Sequence, residues 1–430
     1  MSKLVCGACA LSLAMLAPVA RAASDADLTE IRKQIQSLKD DYEARIRALE
    51  DKLKDAQAKA AAPAPAAAPA PEPAPLPSGG SANTGLAAFN PAMSLVLQGR
   101  YANLSQDPNT FAIAGFAPGG DIGPGRRGFS LGETELTASA SVDHLFAAQA
   151  TMSITPENKI SVEEAYAIFT GAPYGFAPKF GRFFSGIGYQ NEQHQHAWDF
   201  VDAPLVYQAF LGGQYGNDGL QVKWVAPIEP FLELGAEVGN GDNFPGSPRN
   251  KNGVGSGALY AHAGGDVGDS HSWRAGVSWL RTKSDERSAK DDTGIVDFVW
   301  KWAPNGNARQ TSFKVQGEYF RRKEKGETAM DSPVVVDPGS YSLTQNGWYL
   351  QAVYQPIPLW RVGVRYDSLD PGAADPFNPR KWTAMVDWSP SEFSRVRLQF
   401  ARSQTVADVT DNQIFVQYIL SLGAHGAHKY

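Results

Sequence analysis

The residues with the clearest chemical potential lie close together in the middle of the chain. His194, His196 and Asp199 form an H-x-H-x-x-D cluster, and imidazole and carboxylate groups are ligands that divalent metals such as zinc accept. On a strand the two imidazoles would share a face and could grip one cation, whereas in a loop this spacing has no such meaning. We therefore expect His194 and His196 to make polar contacts within a loop, and we predict no metal site and no cofactor. A metal site at these two histidines is the weaker alternative.

Catalytic motifs do not accompany these histidines. The chain has no H-E-x-x-H metalloprotease motif and no phosphate-cradling G-x-x-x-x-G-K loop. Its net charge of −6 is mild and gives no reason to expect nucleic acid as a partner. The sequence therefore predicts a protein that is not an enzyme.

The N-terminus has the features of an export signal. Lys3 supplies a positive start, residues 4–20 carry no charge, and Ala20-Arg21-Ala22 presents small residues where a signal peptidase cleaves. We expect a signal peptide over residues 1–22. Both cysteines of the chain, Cys6 and Cys9, lie within it, so the mature protein would have no disulfide and no thiolate site.

Residues 24–58 predict a periplasmic coiled coil. Apolar residues recur there at spacings of three and four, with one stutter, among mostly charged and amide side chains. Such a narrow apolar stripe requires partner helices, and we expect a homotrimer; a single amphipathic helix docked elsewhere is the alternative. Residues 59–84, rich in Ala and Pro, predict an extended linker. The apolar seam consists of Leu28, Ile31, Ile35, Leu38, Tyr42, Ile46, Leu49, Leu53 and Ala56.

The remaining residues, 85–430, predict one transmembrane β-barrel. Apolar and polar residues alternate repeatedly, as in the segment from Trp360 to Tyr366, and alternation with period two predicts strands with one dry and one wet face. Charges on the wet face indicate an aqueous interior, and Trp and Tyr at the ends of the apolar rows are typical of interfacial girdles. The fold class is therefore all-β, an antiparallel barrel of about sixteen strands.

The predicted connections are mostly short on one side of the barrel and mostly longer on the other. This asymmetry is the outer-membrane pattern, with short periplasmic turns and long external loops. It places both chain ends in the periplasm, where the coiled coil must lie. A barrel of about this size encloses a water-filled channel.

The order of signal, coiled coil, Pro-rich linker and sixteen strands resembles the phosphate-selective porins O and P and their uncharacterised proteobacterial relatives. The strings GRFFSGIGYQNEQHQHAWDF, at 181–200, and LSLGAHGAHKY, at 420–430, are similar to one branch of these porin-like proteins. The terminal Tyr430 resembles the aromatic signal read by the barrel-assembly machinery. The resemblance implies an outer-membrane location among lipid and lipopolysaccharide, and it implies a third long loop that narrows the pore.

The charges of that loop argue against phosphate selectivity. Residues 186–216 contain no Lys or Arg, but they contain Glu192, Asp199 and Asp202 beside the two histidines. Alternation points four wall arginines into the lumen, and an acidic loop facing a basic wall would give a transverse field and weak charge selectivity. The alternative is that these charges merely solvate the lumen and pair with acids of the wall, Asp367 and Asp387. The wall arginines are Arg361, Arg365, Arg395 and Arg397.

The function predicted from the sequence is passive diffusion of small polar or ionic solutes. Two alternatives stay open at this point. One is an anion- or phosphate-selective porin, and the other is a structural tether that binds peptidoglycan or a periplasmic partner through the coiled coil.

Overall fold

The computed structural model describes residues 91–120, 122–156, 158–286, 288–327 and 339–423. The predicted signal peptide, coiled coil and linker, most of the C-terminal string and Tyr430 lie outside the described residues. The described chain forms strands and one α-helix, which we number in chain order. The elements are β1 (Ala92–Leu104), β2 (Gly128–Leu131), β3 (Thr134–Ser141), β4 (Phe146–Ile154), β5 (Ile160–Phe169), β6 (Phe176–Phe184), α1 (Leu205–Leu211), β7 (Gly216–Val225), β8 (Phe231–Gly239), β9 (Ser256–Val267), β10 (His271–Ser284), β11 (Ala289–Trp302), β12 (Ser312–Glu327), β13 (Ser340–Ile357), β14 (Trp360–Asp370), β15 (Arg380–Ser391), β16 (Ser394–Val406) and β17 (Val409–Gly423).

The strands form one closed antiparallel barrel. Consecutive strands pair with one another, except that β2 and β3 both pair with β1. β1 closes the ring by pairing with β17, with Ser94 opposite Gly423. β2 and β3 are two pieces of one barrel strand, because both pair with β1 on the same side. The predicted barrel of sixteen strands is therefore confirmed.

The break between β2 and β3 falls at Gly132. A Cβ at Gly132 would lie 2.7 Å from the Cβ of Gln98, and the Gly132 amide donates to the Gln98 carbonyl. The two backbones thus approach too closely for a side chain, and the strand bulges at this point.

The apolar side chains of the barrel point outward and the polar ones inward. In β14, Val362 and Val364 are exposed on the outer face, whereas the next residue, Arg365, is buried in the lumen. The outer aromatic side chains form two levels, with Trp360 against Trp388 at one and Tyr366 at the other. Six residues of strand separate these levels, which is about 20 Å along the strand at about 3.3 Å per residue and about 15 Å along the barrel axis at a strand tilt of about 40°.

Helices contribute little to this architecture. No helix in the described part of the chain is long and apolar enough to cross a membrane. The turns that follow β3, β5, β7, β9 and β13 are short, and the described chain begins and ends at that same end of the barrel. We call this the short-turn end.

Candidate functional site

The connection between β6 and β7, residues 185–215, folds into the barrel, and we call it the inner loop. Its backbone is held by inward side chains from separate strands. The Gly188 amide donates to Ser278 of β10 at 3.1 Å, and the Val201 amide donates to Gln399 of β16 at 2.8 Å. The Leu205 amide donates to Asp367 of β14 at 2.9 Å. The inner loop therefore reaches across the lumen instead of lining one wall.

Glu318 of β12 accepts hydrogen bonds from several groups of the inner loop. Its carboxylate, almost fully buried, receives the amides of Tyr189 and Gln190, both at 3.1 Å. The hydroxyls of Tyr207 and Tyr349 donate to the same carboxylate, at 2.9 and 2.7 Å. Because two different parts of the inner loop share this acceptor, Glu318 ties the loop to the wall. Glu318 was not among the site residues predicted from the sequence, and nothing in its sequence context marks it as an anchor.

The helix α1 within the inner loop was not predicted. All seven residues are buried, and the helix ends at Gly212, whose φ of 68° is the left-handed conformation that favours glycine. Its apolar side chains pack on inward-facing Phe320, Tyr349 and Leu369. The lumen is thus partly filled by an apolar core on the side of β12 to β14, a feature that the sequence analysis did not predict. The mostly apolar residues 205–211, followed by Gly212 and Gly213, were the sequence signal that could have predicted this helix.

Asp199 and Asp202 of the inner loop form ion pairs with the wall. Asp199 pairs with Lys314, and with Arg361 at 3.2 Å. Burial by itself would raise the pKa of the Asp199 carboxyl, but the charges of Lys314 and Arg361 outweigh burial and hold the pKa below its ordinary range. Asp202 likewise pairs with Lys381, and with Arg365 at 3.2 Å. Those two charges hold the pKa of Asp202 below its ordinary range against the opposing effect of burial.

The four predicted wall arginines all point inward and all touch the inner loop. Arg395 donates weakly to the carbonyls of His196 and Trp198, both at 3.4 Å, and Arg397 donates to the Trp198 carbonyl at 2.9 Å. Arg361 and Arg365 reach the loop through its two aspartates. At these residues the acidic loop and the basic wall face each other, and their opposite charges are in direct contact.

The pairing with wall acids, kept open as an alternative, is also present. Asp387 accepts from Arg397 at 2.7 Å and pairs with Arg361, and Asp367 accepts from Arg365 at 3.0 Å. Each arginine thus lies between a loop group and a wall group. The remaining loop acid, Glu192, pairs with Lys223 at 2.6 Å on the opposite side of the barrel, a contact that the sequence did not predict.

His194 and His196 lie against three glutamates of β3 and β5. His194 Nδ1 is 3.0 Å from Glu163 and 3.2 Å from Glu135, and its Nε2 is 3.1 Å from Glu164. Burial opposes a charged ring, but the hydrogen bonds to these carboxylates raise the pKa of His194 well above its ordinary value. His196 Nδ1 is 2.9 Å from Glu135. Asp199 lies elsewhere, with Lys314, so the predicted H-x-H-x-x-D motif does not come together as a set.

Residues 128–132 have the G-x-S-x-G spacing that, in α/β-hydrolases, marks a strand-to-helix turn with an exposed serine nucleophile. Here those residues include the strand β2, and Ser130 accepts a long hydrogen bond from Arg100 at 3.4 Å. The motif requires a turn from a strand into a helix, whereas here the strand β2 is followed by the strand β3.

Comparison with known proteins agrees with the geometry. No family model matches the chain. An anion-selective porin from Comamonas acidovorans superposes with a TM-score of 0.52 at 11% identity, covering 77% of this chain and 99% of that one. The outer-membrane channel DcaP of Acinetobacter baumannii superposes with a TM-score of 0.51 at 13% identity, covering 77% of this chain and 97% of that one. At these identities the likeness shows the fold, and the chain has the barrel fold of outer-membrane porins.

One curated relative is closer in sequence. An uncharacterized protein of Aquifex aeolicus (strain VF5) is 30% identical over 343 residues, covering 71% of this chain and 71% of that protein. The chain belongs to the same family as this Aquifex aeolicus protein. The resemblance to the phosphate-selective porins O and P stays a prediction.

Proposed function

We propose that this protein is an outer-membrane porin through which small polar or ionic solutes diffuse passively, with weak charge selectivity. The observation that carries the proposal is the inside-out barrel: its outer face is apolar, and charged side chains in its lumen are reached by solvent. Lys314, Arg361 and Arg395 each keep 22–23% of their side chains exposed beside the inner loop. Water that reaches these charges offers a path for solutes.

Weak selectivity follows from the pairing of the charges. Each acid of the inner loop lies against at least one lysine or arginine of the wall, so the long-range fields of the two signs largely cancel. An ion passing the loop meets local dipoles and not a ring of one sign. The second candidate function is an anion-selective porin. It is supported by three arginines near Asp387 and by the likeness to the Comamonas acidovorans porin, which is described as anion-selective.

The test is single-channel recording of the purified full-length protein in a planar bilayer. We expect stable ohmic steps and a small reversal potential in a KCl gradient. Phosphate at micromolar concentration should leave the current unchanged. A block by micromolar phosphate would support the phosphate-selective alternative. Absence of any channel from folded, heat-modifiable protein would contradict the proposal and favour a structural tether.

We further propose a homotrimer set by the predicted coiled coil of residues 24–58, with lipid and lipopolysaccharide around the barrel and the barrel-assembly machinery as a partner during insertion. A peptide of residues 24–58 should sediment as a trimer at high micromolar concentration, because its apolar seam otherwise has no partner. A variant peptide with Ile35→Asn and Leu49→Asn should sediment as a monomer. A monomeric parent peptide would contradict the trimer.

A further inference from the structure

We propose that His194, Glu135 and Glu163 form a binding site for a divalent cation of the Zn²⁺ type. The site joins the inner loop to β3 and β5, and it is separate from the arginine wall. One ligand atom of each residue, His194 Nδ1 and one carboxylate oxygen of each glutamate, lie within 4.8 Å of one another. The proposal concerns metal binding and does not depend on whether the barrel conducts.

The distances fit a tetrahedral metal. With metal–ligand bonds of about 2.1 Å, neighbouring ligand atoms of a tetrahedral site are about 3.4 Å apart. His194 Nδ1 lies 3.2 Å from Glu135 Oε2 and 3.0 Å from Glu163 Oε2. Both distances from the imidazole nitrogen are therefore within a few tenths of an ångström of the tetrahedral value, and a fourth position is left for water.

The neighbouring contacts are those that a ligand histidine requires. Metal-bound histidines usually donate their second ring N–H to a carboxylate, which fixes the ring and its tautomer. Here Nε2 of His194 is 3.1 Å from Glu164 Oε2. In the same way the second oxygen of Glu135 is 2.9 Å from His196 Nδ1. Two of the three proposed ligands, His194 and Glu135, thus have an outer partner already in place.

Charge and access favour a cation. Three carboxylates surround His194, and a divalent ion would compensate more of their charge than a proton on the ring does. The Glu135 side chain is only 2% exposed, whereas those of His194 and Glu163 are 18% and 10% exposed, so the site can be reached from the lumen. Nδ1 must be deprotonated to bind, so the proton that it shares with the carboxylates is released when the metal enters.

The donor set also predicts which metal binds. One imidazole nitrogen with two carboxylate oxygens suits Zn²⁺, whereas Mg²⁺ and Ca²⁺ prefer oxygen ligands alone and higher coordination numbers. The site therefore belongs to the zinc class and should exclude Mg²⁺ and Ca²⁺.

Isothermal titration of the detergent-solubilised full-length protein with ZnCl₂, at mildly alkaline pH, tests the proposal. We expect one Zn²⁺ per chain that excess Mg²⁺ does not displace. His194→Gln and Glu163→Gln should each abolish this binding, and Glu164→Gln should weaken it about 10- to 100-fold, as outer contacts do. Heat-modifiable migration on gels shows whether each variant has folded, and Glu163→Gln provides a second ligand deletion that keeps the histidine.

Two controls isolate the site. His262→Gln removes another buried lumen histidine, whose Nδ1 is 3.0 Å from Glu233, and it should leave Zn²⁺ binding unchanged. His425→Ala with His428→Ala removes the histidines of the C-terminal string and should also leave it unchanged. The proposal is overturned if the parent binds no Zn²⁺, or if the tail variant loses the binding while folded His194→Gln retains it.

Discussion

Replacing Glu318 with alanine is expected to free the inner loop and raise the mean single-channel conductance several-fold, with flickering. The substitution leaves the amides of Tyr189 and Gln190 and the hydroxyls of Tyr207 and Tyr349 without their shared acceptor. A buried donor without an acceptor costs about 1–3 kcal/mol. Four such donors together approach the whole stability of a local folding unit, so the loop should open while the barrel persists.

Limited proteolysis provides a readout independent of conduction. The inner loop contains no Lys or Arg, so trypsin has no cleavage site there, but chymotrypsin can cut after its aromatic residues. We expect chymotrypsin to cleave Glu318→Ala within residues 185–215 and to leave the parent intact at those positions. Glu318→Gln keeps the volume and one acceptor oxygen, so its effect should be smaller.

The matched control is Glu324→Ala, on the inward face of the same strand. Glu324 accepts from Tyr341 of β13, away from the inner loop, so its loss should leave both conductance and loop cleavage at the parental level. A Glu318→Ala protein with parental conductance and parental loop cleavage would show that the loop does not depend on this carboxylate.

Neutralising Asp199 and Asp202 together is expected to shift ion selectivity towards anions. The double substitution Asp199→Asn with Asp202→Asn releases the positive charges of Lys314 and Lys381, each of which pairs with one of these aspartates. A unit charge about 6 Å from a passing ion in a water-like dielectric contributes about 0.7 kcal/mol, or about threefold in local ion concentration. Two such charges raise the local anion concentration about tenfold and lower that of cations about tenfold, so the change in the anion-to-cation permeability ratio is bounded at about a hundredfold.

Salt and pH give this prediction two further signatures. The shift should shrink as salt rises, because the Debye length falls to about 3 Å at about 1 M. The pKa values of both aspartates are held below their ordinary range, so these groups stay ionised at about pH 5. The difference between parent and variant should therefore persist at that pH.

Two comparisons control the selectivity measurement. Asp218→Asn makes the same chemical change at an exposed ion pair with Arg182, outside the inner loop, and should leave the reversal potential unchanged. Neutralising Arg361, Arg365, Arg395 and Arg397 should move selectivity towards cations. If the aspartate variant folds and its reversal potential matches that of the parent at low salt, these charges do not govern permeation.

The barrel could be predicted from the sequence because strand alternation is a local property. Side chains at i and i+2 share a face, so Val362 and Val364 were placed outward and Arg365 inward before any partner strand was known. The lengths of the connections are also local, and they predicted which end of the barrel carries the short turns and which carries the longer loops. The same reasoning pointed all four wall arginines inward, and in the structure each contacts the inner loop.

The partners of these residues depended on tertiary structure. Asp199 meets Arg361, which is 162 residues further along the chain, and no periodicity encodes that contact. It follows from the path of the inner loop, which packing of α1 against Phe320, Tyr349 and Leu369 directs across the lumen. Alternation predicted polar side chains at inward positions, so this apolar patch and the helix on it were missed. The contact of His194 with three glutamates also depended on tertiary structure. The closed barrel brings β3 and β5 beside the inner loop, because ring closure makes neighbours of strands that are distant in sequence.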